Sequence, residues 1–449
     1  MQTESSTILH QGIHKQVRTN DSLLAYLFLF LYTVSVLIRP HEMFIETRFW
    51  IAIKVFAILA LVFMAAFQRP IKIIPQHFML LVLFPFIVFS GFLNGSGMLG
   101  LAFAQVFFIS FVIPFFMFSL CLSTIKRQQL IMLVSLIAAS LMVHNGYVQQ
   151  ITSDGSGWAL GTYSVGKFEL DERRITYLGF FRDPNDIGQF LIMNIPFIFY
   201  FFIKGGAITK TIMLIALSGM CYGVYLTGSR GTAVGLAGLV MSYYLVTRAG
   251  AKFFLWCIII APLGMIAIAS LQSSIDLSAN QRLWAWYHGL QMLIDNPIFG
   301  VGKYQFFEHH GRVAHNSFIQ VAAELGVPGY SLWCGALVSS ILPSYLIINH
   351  LKKHTDLVNN LNQEQKDEIL LNKTLLFSMI GYFITAFFIS RSDTVLIAIF
   401  MGMCVAANYR IIKRVPELAK FFLGNYILHS MLLAWVIIIM VYLSLKLGL

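Results

Sequence analysis

In AHNSFIQVAAELGVPG, residues 314–329, a His-Asn pair ends a polar stretch and leads into small residues, a Gly-Val-Pro-Gly turn and a new apolar run. Asn316 or Ser317 can cap a helix over about 317–325 that stops at Gly326, with Pro328 and Gly329 beyond. His315 then precedes the cap, close to the positive end of the helix, where an imidazole loses proton affinity. A neutral imidazole so placed suits a general base. The plain alternative is an exposed loop histidine. Glu308, His309 and His310 raise a zinc reading, but His-His-x4-His to His315 matches none of the usual zinc spacings. No metal and no cofactor is therefore expected.

Three further stretches set arginine beside turning backbone. In RRITYLGFFRDPNDIGQF, residues 173–190, Asp183-Pro184-Asn185-Asp186 has turn and N-cap chemistry ahead of an apolar run. A helix N-terminus flanked by Arg174 and Arg182 is a ready anion site. Asp183 and Asp186 could instead hold a divalent cation on a diphosphate, with those arginines competing for the same phosphates. In TGSRGTAVGLAG, residues 227–238, Gly228 and Gly231 flank Arg230 and let backbone approach a ligand closely. Ala233, Gly235, Ala237 and Gly238 suit close helix packing. In QRLWAWYHGLQMLIDNPIFGVGKYQF, residues 281–306, Arg282, Trp286, Leu290 and Leu293 predict an amphipathic interfacial helix over 281–293. Trp284, Trp286 and Tyr287 read as an aromatic belt, or as rings that stack on sugars. Asn296-Pro297 and Gly300-Val301-Gly302 then turn the chain. The chemistry shared by these arginines is anion binding, because guanidinium pairs bidentately with phosphate and stays charged when partly buried.

The elements that position these residues are membrane spans. The 449 residues are 58% hydrophobic and 11% charged, with a mean hydropathy of +0.75, which excludes a soluble domain of this length. Residues 1–22 are polar and no cleavage site follows, so the first span is expected to direct insertion. A pI near 9.4 raises nucleic acid, but the basic residues are scattered between apolar runs rather than gathered in a stripe, which argues against it. All five cysteines lie in apolar runs, so no disulfide framework is expected.

About thirteen apolar segments fall near 23–38, 49–67, 78–93, 98–123, 129–146, 187–203, 211–227, 231–247, 253–271, 328–349, 374–390, 394–408 and 425–445. The pair 374–390 and 394–408, separated by Arg391-Ser392-Asp393, reads as a tight hairpin or one broken helix. The expected architecture is an all-α integral membrane protein of about 12–13 transmembrane helices. Its parts are a cytoplasmic tail (1–22), an N-terminal bundle (23–146), an outer loop with the Arg/DPND motif (147–186), spans with the SRG turn (187–271), a large, partly helical outer loop (272–327) and C-terminal spans (328–449).

Placing the N-terminus in the cytoplasm makes alternate loops basic and puts 18 of the 31 basic residues inside. The inner loops hold twelve Lys and six Arg; the outer side holds three Lys and nine Arg, namely Arg39, Arg48, Arg173, Arg174, Arg182, Arg230, Arg282, Arg312 and Arg391. Topology needs only positive charge, so an outward preference for Arg asks for another reason. Singly, each can snorkel or pair with an outer carboxylate. As a set at span ends and in recognisable motifs, they are expected to converge on an anionic ligand.

Together these motifs resemble the O-antigen ligase and O-antigen polymerase superfamily of bacterial envelopes. The resemblance rests on R-x4-G-x-F-x-D-P-N from Arg174 to Asn185, the Ser229-Arg230-Gly231 turn, and Arg282 with NPIFGVG. Most specific is His315-Asn316, nine residues, then Gly326-Val327-Pro328-Gly329, which fits the H-[NSQ]-x9-G-x-x-G signature of O-antigen ligases and related protein O-oligosaccharyltransferases. The shared region covers roughly 170–330. The resemblance implies a C-type glycosyltransferase fold in the bacterial inner membrane with a periplasmic active site. It implies a glycan on undecaprenyl diphosphate as donor, and inverting transfer without metal or ATP. Glycan, lipid A-core or protein would be the acceptor, with a flippase and a chain-length regulator as partners. Carried over to this chain, Arg230, Arg282, Arg174 and Arg182 would bind the diphosphate and His315 would be the base, supported by Asn185, Asn316, Gly326 and Gly329. LIRPHEM and FFRDPNDIG look like exopolysaccharide-type members and lean toward polymerisation; the His-Asn signature pulls toward ligation. The rival from another class is a transporter or flippase of an anionic lipid-linked glycan. Such proteins place ionisable groups near the bilayer midplane, whereas the residues here lie at the outer boundary.

Overall fold

A computed structural model describes residues 21–48, 50–71, 73–166, 173–248, 277–421 and 426–448. Lipid offers no partner to a backbone N–H or C=O, so an apolar run must satisfy its own, and these runs form helices. In chain order they are α1 (Leu23–Leu37), α2 (Ala52–Phe67), α3 (Pro75–Leu93), α4 (Met98–Cys121), α5 (Ile125–Ile151), α6 (Pro184–Lys204), α7 (Ala207–Leu226) and α8 (Arg230–Arg248). The next described helices are α9 (Leu277–Asp295), α10 (Phe306–His310), α11 (Ser317–Lys353), α12 (Thr355–Asn360), α13 (Gln363–Thr385), α14 (Val395–Arg414) and α15 (Ile427–Gly448). Among the described residues the β pairings are two isolated bridges, Ser156 with Tyr163 and Val165 with Arg174.

The chain is an all-α integral membrane protein. Eight of the described helices, α3 to α7, α11, α14 and α15, are long and apolar enough to cross a membrane, and α1 and α2 are shorter apolar helices. The expected span 253–271 lies outside the described residues. Burial separates the middle of the bundle from its rim: 83% of the apolar window of α14 is buried, against 22% for α7, whose Ile208, Leu214 and Ile215 face outward as lipid-contacting side chains do.

Hydropathy locates only the apolar part of a helix, and several helices run past it. α5 extends to 125–151 and α11 to Lys353. α13 begins at Gln363, where Asn362 and Gln365 form a capping box, so the polar stretch holding Lys366 and Lys373 is helical rather than loop. The hairpin expected between 374 and 408 also differs. α13 stops at Thr385, and residues 386–390, counted into a span for their Ala-Phe-Phe-Ile character, join 391–394 in an irregular segment packed into the bundle.

The loops that carry the motifs meet at one end of the bundle. Tyr177 Oη donates to the Ile38 carbonyl (2.9 Å), Ile175 N to Leu226 O (3.3 Å), Ser90 Oγ to Phe299 O (2.7 Å) and Ser317 N to Ala386 O (2.8 Å). The opposite end holds Lys204 paired with Asp367 and Arg414 paired with Glu364.

Candidate active site

Two of the sequence motifs prove to be one structural unit. Asn316 caps α11, its Oδ1 accepting from the N–H groups of Phe318 (3.0 Å) and Ile319 (3.1 Å). The helix breaks at Gly326, where φ is 66° and ψ −168°, a region open essentially to glycine alone. The carbonyls left free above the break are taken up by the NPIFGVG turn: Val301 N donates to Ala323 O and Gly302 N to Glu324 O, both at 2.9 Å, while Val327 N donates to Pro297 O at 2.7 Å. A Cβ at Gly326 would lie 2.7 Å from Pro297 O, and one at Gly329 would lie 2.9 Å from the Phe86 ring. Gly326→Ala is therefore expected to cost about 1–3 kcal/mol through backbone strain alone, before any steric clash, read as a lower thermal midpoint in detergent. An unchanged midpoint would mean that the break relaxes freely.

With the cap and the break explained by folding, His315 stands apart. It adopts a left-handed backbone, φ 48°, immediately before the cap. It is half-buried and lines a cavity of about 300 Å³ with Gln281, Arg282, Phe307, Arg312 and Val313. α9 brings Arg282 there. Its inner face packs through Ala285, Trp286, Leu290 and Leu293, and Trp286 Nε1 donates to the Ala314 carbonyl at 2.9 Å, fixing the residue next to His315. Trp286 thus faces inward and belongs to neither an aromatic belt nor a sugar platform, whereas Trp284 and Tyr287 are exposed. Burial lowers the proton affinity of His315 below the usual imidazole range. The charges of Arg282, Arg391 and Arg312 lower it further, and Asp183 opposes them.

Arg174 and Asn185 meet in a second node. Arg174 Nε donates to Thr227 O (2.7 Å) and its guanidinium reaches Asn185 Oδ1 (3.4 Å), which also accepts from Ser229 Oγ (2.7 Å). Asp183 caps α6, accepting from both the backbone N–H and the side-chain amide of Asn185 at 2.8 Å. This ties the Arg/DPND loop to the SRG turn. Arg230 is exposed as the first residue of α8, and Arg182 is exposed with its charge felt by Glu42. The cavity at His315 is lined by neither of these, nor by Arg174.

The segment 386–394 is where sequence reasoning fell short. Phe388 packs so tightly on the SRG turn that a Cβ at Gly231 would sit 2.5 Å from its Cβ. Ser317 Oγ donates to Ile389 O (2.6 Å) and accepts from Arg391 N (3.0 Å). Arg391 grips Asp186, with Nε 2.9 Å from Oδ1 and its terminal nitrogen 2.9 Å from Oδ2. Lys303 Nζ lies 3.3 Å from Glu324 Oε2, 3.2 Å from Ser392 Oγ and 3.7 Å from Asp393 Oδ2, and Tyr304 Oη donates to Asp393. A carboxylate inside an apolar helix, Glu324, was the available signal for this cluster. Among the described residues no three His, Cys, Asp or Glu side chains group as a metal site requires.

No curated protein matches the chain. The family model for O-antigen ligase matches residues 214–334, which include the SRG turn, Arg282, His315 and the glycine break. That match supports a glycosyltransferase of the ligase or polymerase type, acting on a lipid-linked glycan in a membrane. Residues 214–334 thus carry an O-antigen ligase domain, which supports placing the chain in the O-antigen ligase and polymerase superfamily.

Proposed function

We propose that the chain transfers a glycan from undecaprenyl diphosphate to an acceptor hydroxyl on the periplasmic face of the bacterial inner membrane, with its N-terminus in the cytoplasm. The observation that carries this reading is the sharing of one cavity by His315 and Arg282, within the segment that matches the ligase family. The acceptor oxygen attacks the anomeric carbon opposite the diphosphate, and the bond to the diphosphate breaks. The bonding pair leaves with the diphosphate, so the centre inverts. The hydroxyl proton passes to the His315 imidazole. Arg282 neutralises the charge that grows on the leaving group, a role that fixed guanidinium groups can fill without a metal. Arg174, Arg182 and Arg230 extend the anion-binding surface, and polymerisation of repeat units is the acceptor reading taken.

A lowered proton affinity keeps His315 in its base form below its ordinary range. The midpoint of the acid limb should therefore lie below the ordinary imidazole range, with activity lost as the solution becomes more acidic. An acid limb centred above the ordinary imidazole range would contradict the assignment. The founding test is purified protein in detergent with an undecaprenyl-diphosphate-linked oligosaccharide. Release of undecaprenyl diphosphate supports transfer, and the length of the product separates polymerisation from single ligation. No turnover there, with movement of the lipid-linked glycan across vesicle membranes, would favour a flippase. Inhibition by a chelator, reversed by added metal, would overturn the arginine-only mechanism.

A further inference from the structure

Arg391 and Asp186 lie 205 residues apart in sequence, and both fall outside the family-matched segment. Asp186 sits in the first turn of α6 with its side chain 4% exposed, and it meets Arg391 bidentately. That geometry fixes both the plane and the position of a guanidinium as a single hydrogen bond cannot. The grip does not bury the cation completely: the Arg391 side chain remains 39% exposed. Its backbone is held as well. Arg391 N donates to Ser317 Oγ, Ser317 Oγ donates to Ile389 O, and Ser317 N donates to Ala386 O. Ser317 is the first residue of α11, two positions after His315. The strand of chain that carries the imidazole is thus fastened on one side by α9, through Trp286 and Ala314, and on the other by residues 386–391.

We propose that Arg391, clamped by Asp186, is a positioning residue for His315: it locks residues 386–391 onto the start of α11 and holds a fixed positive charge beside the imidazole. The role rests on the reading of His315 as base. The charged groups acting on the imidazole are Arg282 from α9, Arg312 from the preceding turn, Asp183 from the cap of α6, and Arg391. Three cations face one anion there. Arg391 among them is held bidentately by Asp186, a buried carboxylate of α6. Its charge disfavours the imidazolium, so removing it should raise the pH at which His315 takes up a proton. Asp186 serves indirectly, by aiming the guanidinium.

The test uses full-length protein in detergent with the lipid-linked glycan donor, and compares Arg391→Gln, Arg391→Lys and Asp186→Asn. Arg391→Gln should move the acid limb of the rate profile upward by about half a pH unit or more, and lower kcat about tenfold, with KM changed less. Arg391→Lys keeps the charge and loses the fork, so kcat should fall while the acid limb stays. Asp186→Asn should behave like the lysine variant. A folded Arg391→Gln protein with wild-type kcat and an unmoved acid limb overturns the proposal. Should the glutamine variant fail to fold, wild-type kcat in both Arg391→Lys and Asp186→Asn overturns it equally. His315→Asn separates the two claims: an active His315→Asn protein removes the base assignment and this role with it, whereas an inactive one beside an unaffected Arg391→Gln rejects this role alone.

Discussion

Replacing His315 with asparagine should reduce glycan transfer by about 10²- to 10⁴-fold, the span typical for loss of a general base, while leaving the fold intact. The choice of asparagine follows from the backbone. His315 holds φ at 48°, a left-handed conformation that asparagine tolerates and alanine resists by about 1–2 kcal/mol. Alanine would confound lost chemistry with a strained entry into α11, where Asn316 and Ser317 already make the contacts that hold the helix start. Initial rates of undecaprenyl diphosphate release, with thermal unfolding in the same detergent, would measure both effects. The acceptor KM should move little, because the imidazole is needed when the hydroxyl loses its proton. Transfer within a few-fold of wild type would leave His315 as a loop histidine and return the base to be found elsewhere.

The largest effect on stability should come from Lys303→Met. Lys303 is 3% exposed and Glu324 fully buried, with Asp393 close by. Burial alone would drive the ammonium toward its neutral form, but the Asp393 and Glu324 carboxylates outweigh burial and hold its proton more firmly than usual. Removing the lysine leaves buried carboxylates without their counter-ion, a loss of about 3–5 kcal/mol in systems where one partner of such a pair has been deleted. The damage should also reach the site, since the cluster ties the turn after α9 to residues 392–393, and Trp333 Nε1 donates to the Ser392 carbonyl at 2.8 Å. Lys303→Met should lower the unfolding midpoint in detergent sharply. Lys303→Met with Glu324→Gln should recover part of the loss, because one uncompensated charge is then gone. A single variant as stable as wild type would show that water reaches the carboxylates.

Membrane insertion, helical architecture and the local devices of the site were readable because each depends on near neighbours in the chain. Apolar runs must satisfy their own backbone in lipid, so composition and run length carry the fold class. Asn316 at the cap, Gly326 at the break and Asp183 before α6 are residue types that their own backbone positions demand. Helix ends were less legible, since α5, α11 and α13 continue into polar sequence with good helix formers that hydropathy does not register. The segment 386–390 was misread as span for the opposite reason. Its apolar side chains signal burial, and burial in a packed loop is indistinguishable by composition from burial in a span.

What the sequence determined by itself was the membrane-spanning helical class, a set of arginines beside turning backbone, and a histidine set before a helix that ends at a glycine. Tertiary structure decided which of those residues share a cavity. It brought Arg282 to His315 through the buried face of α9, set Arg174 and Asn185 with the SRG turn, and left Arg182 and Arg230 exposed and outside the lining of that cavity. It also decided that Lys303 faces Glu324 and that Arg391 faces Asp186. The physical reason is that the partner of a buried charge is chosen by helix packing across hundreds of residues, where no local spacing records it, whereas caps, breaks and spans are settled within a turn or two of their own chain.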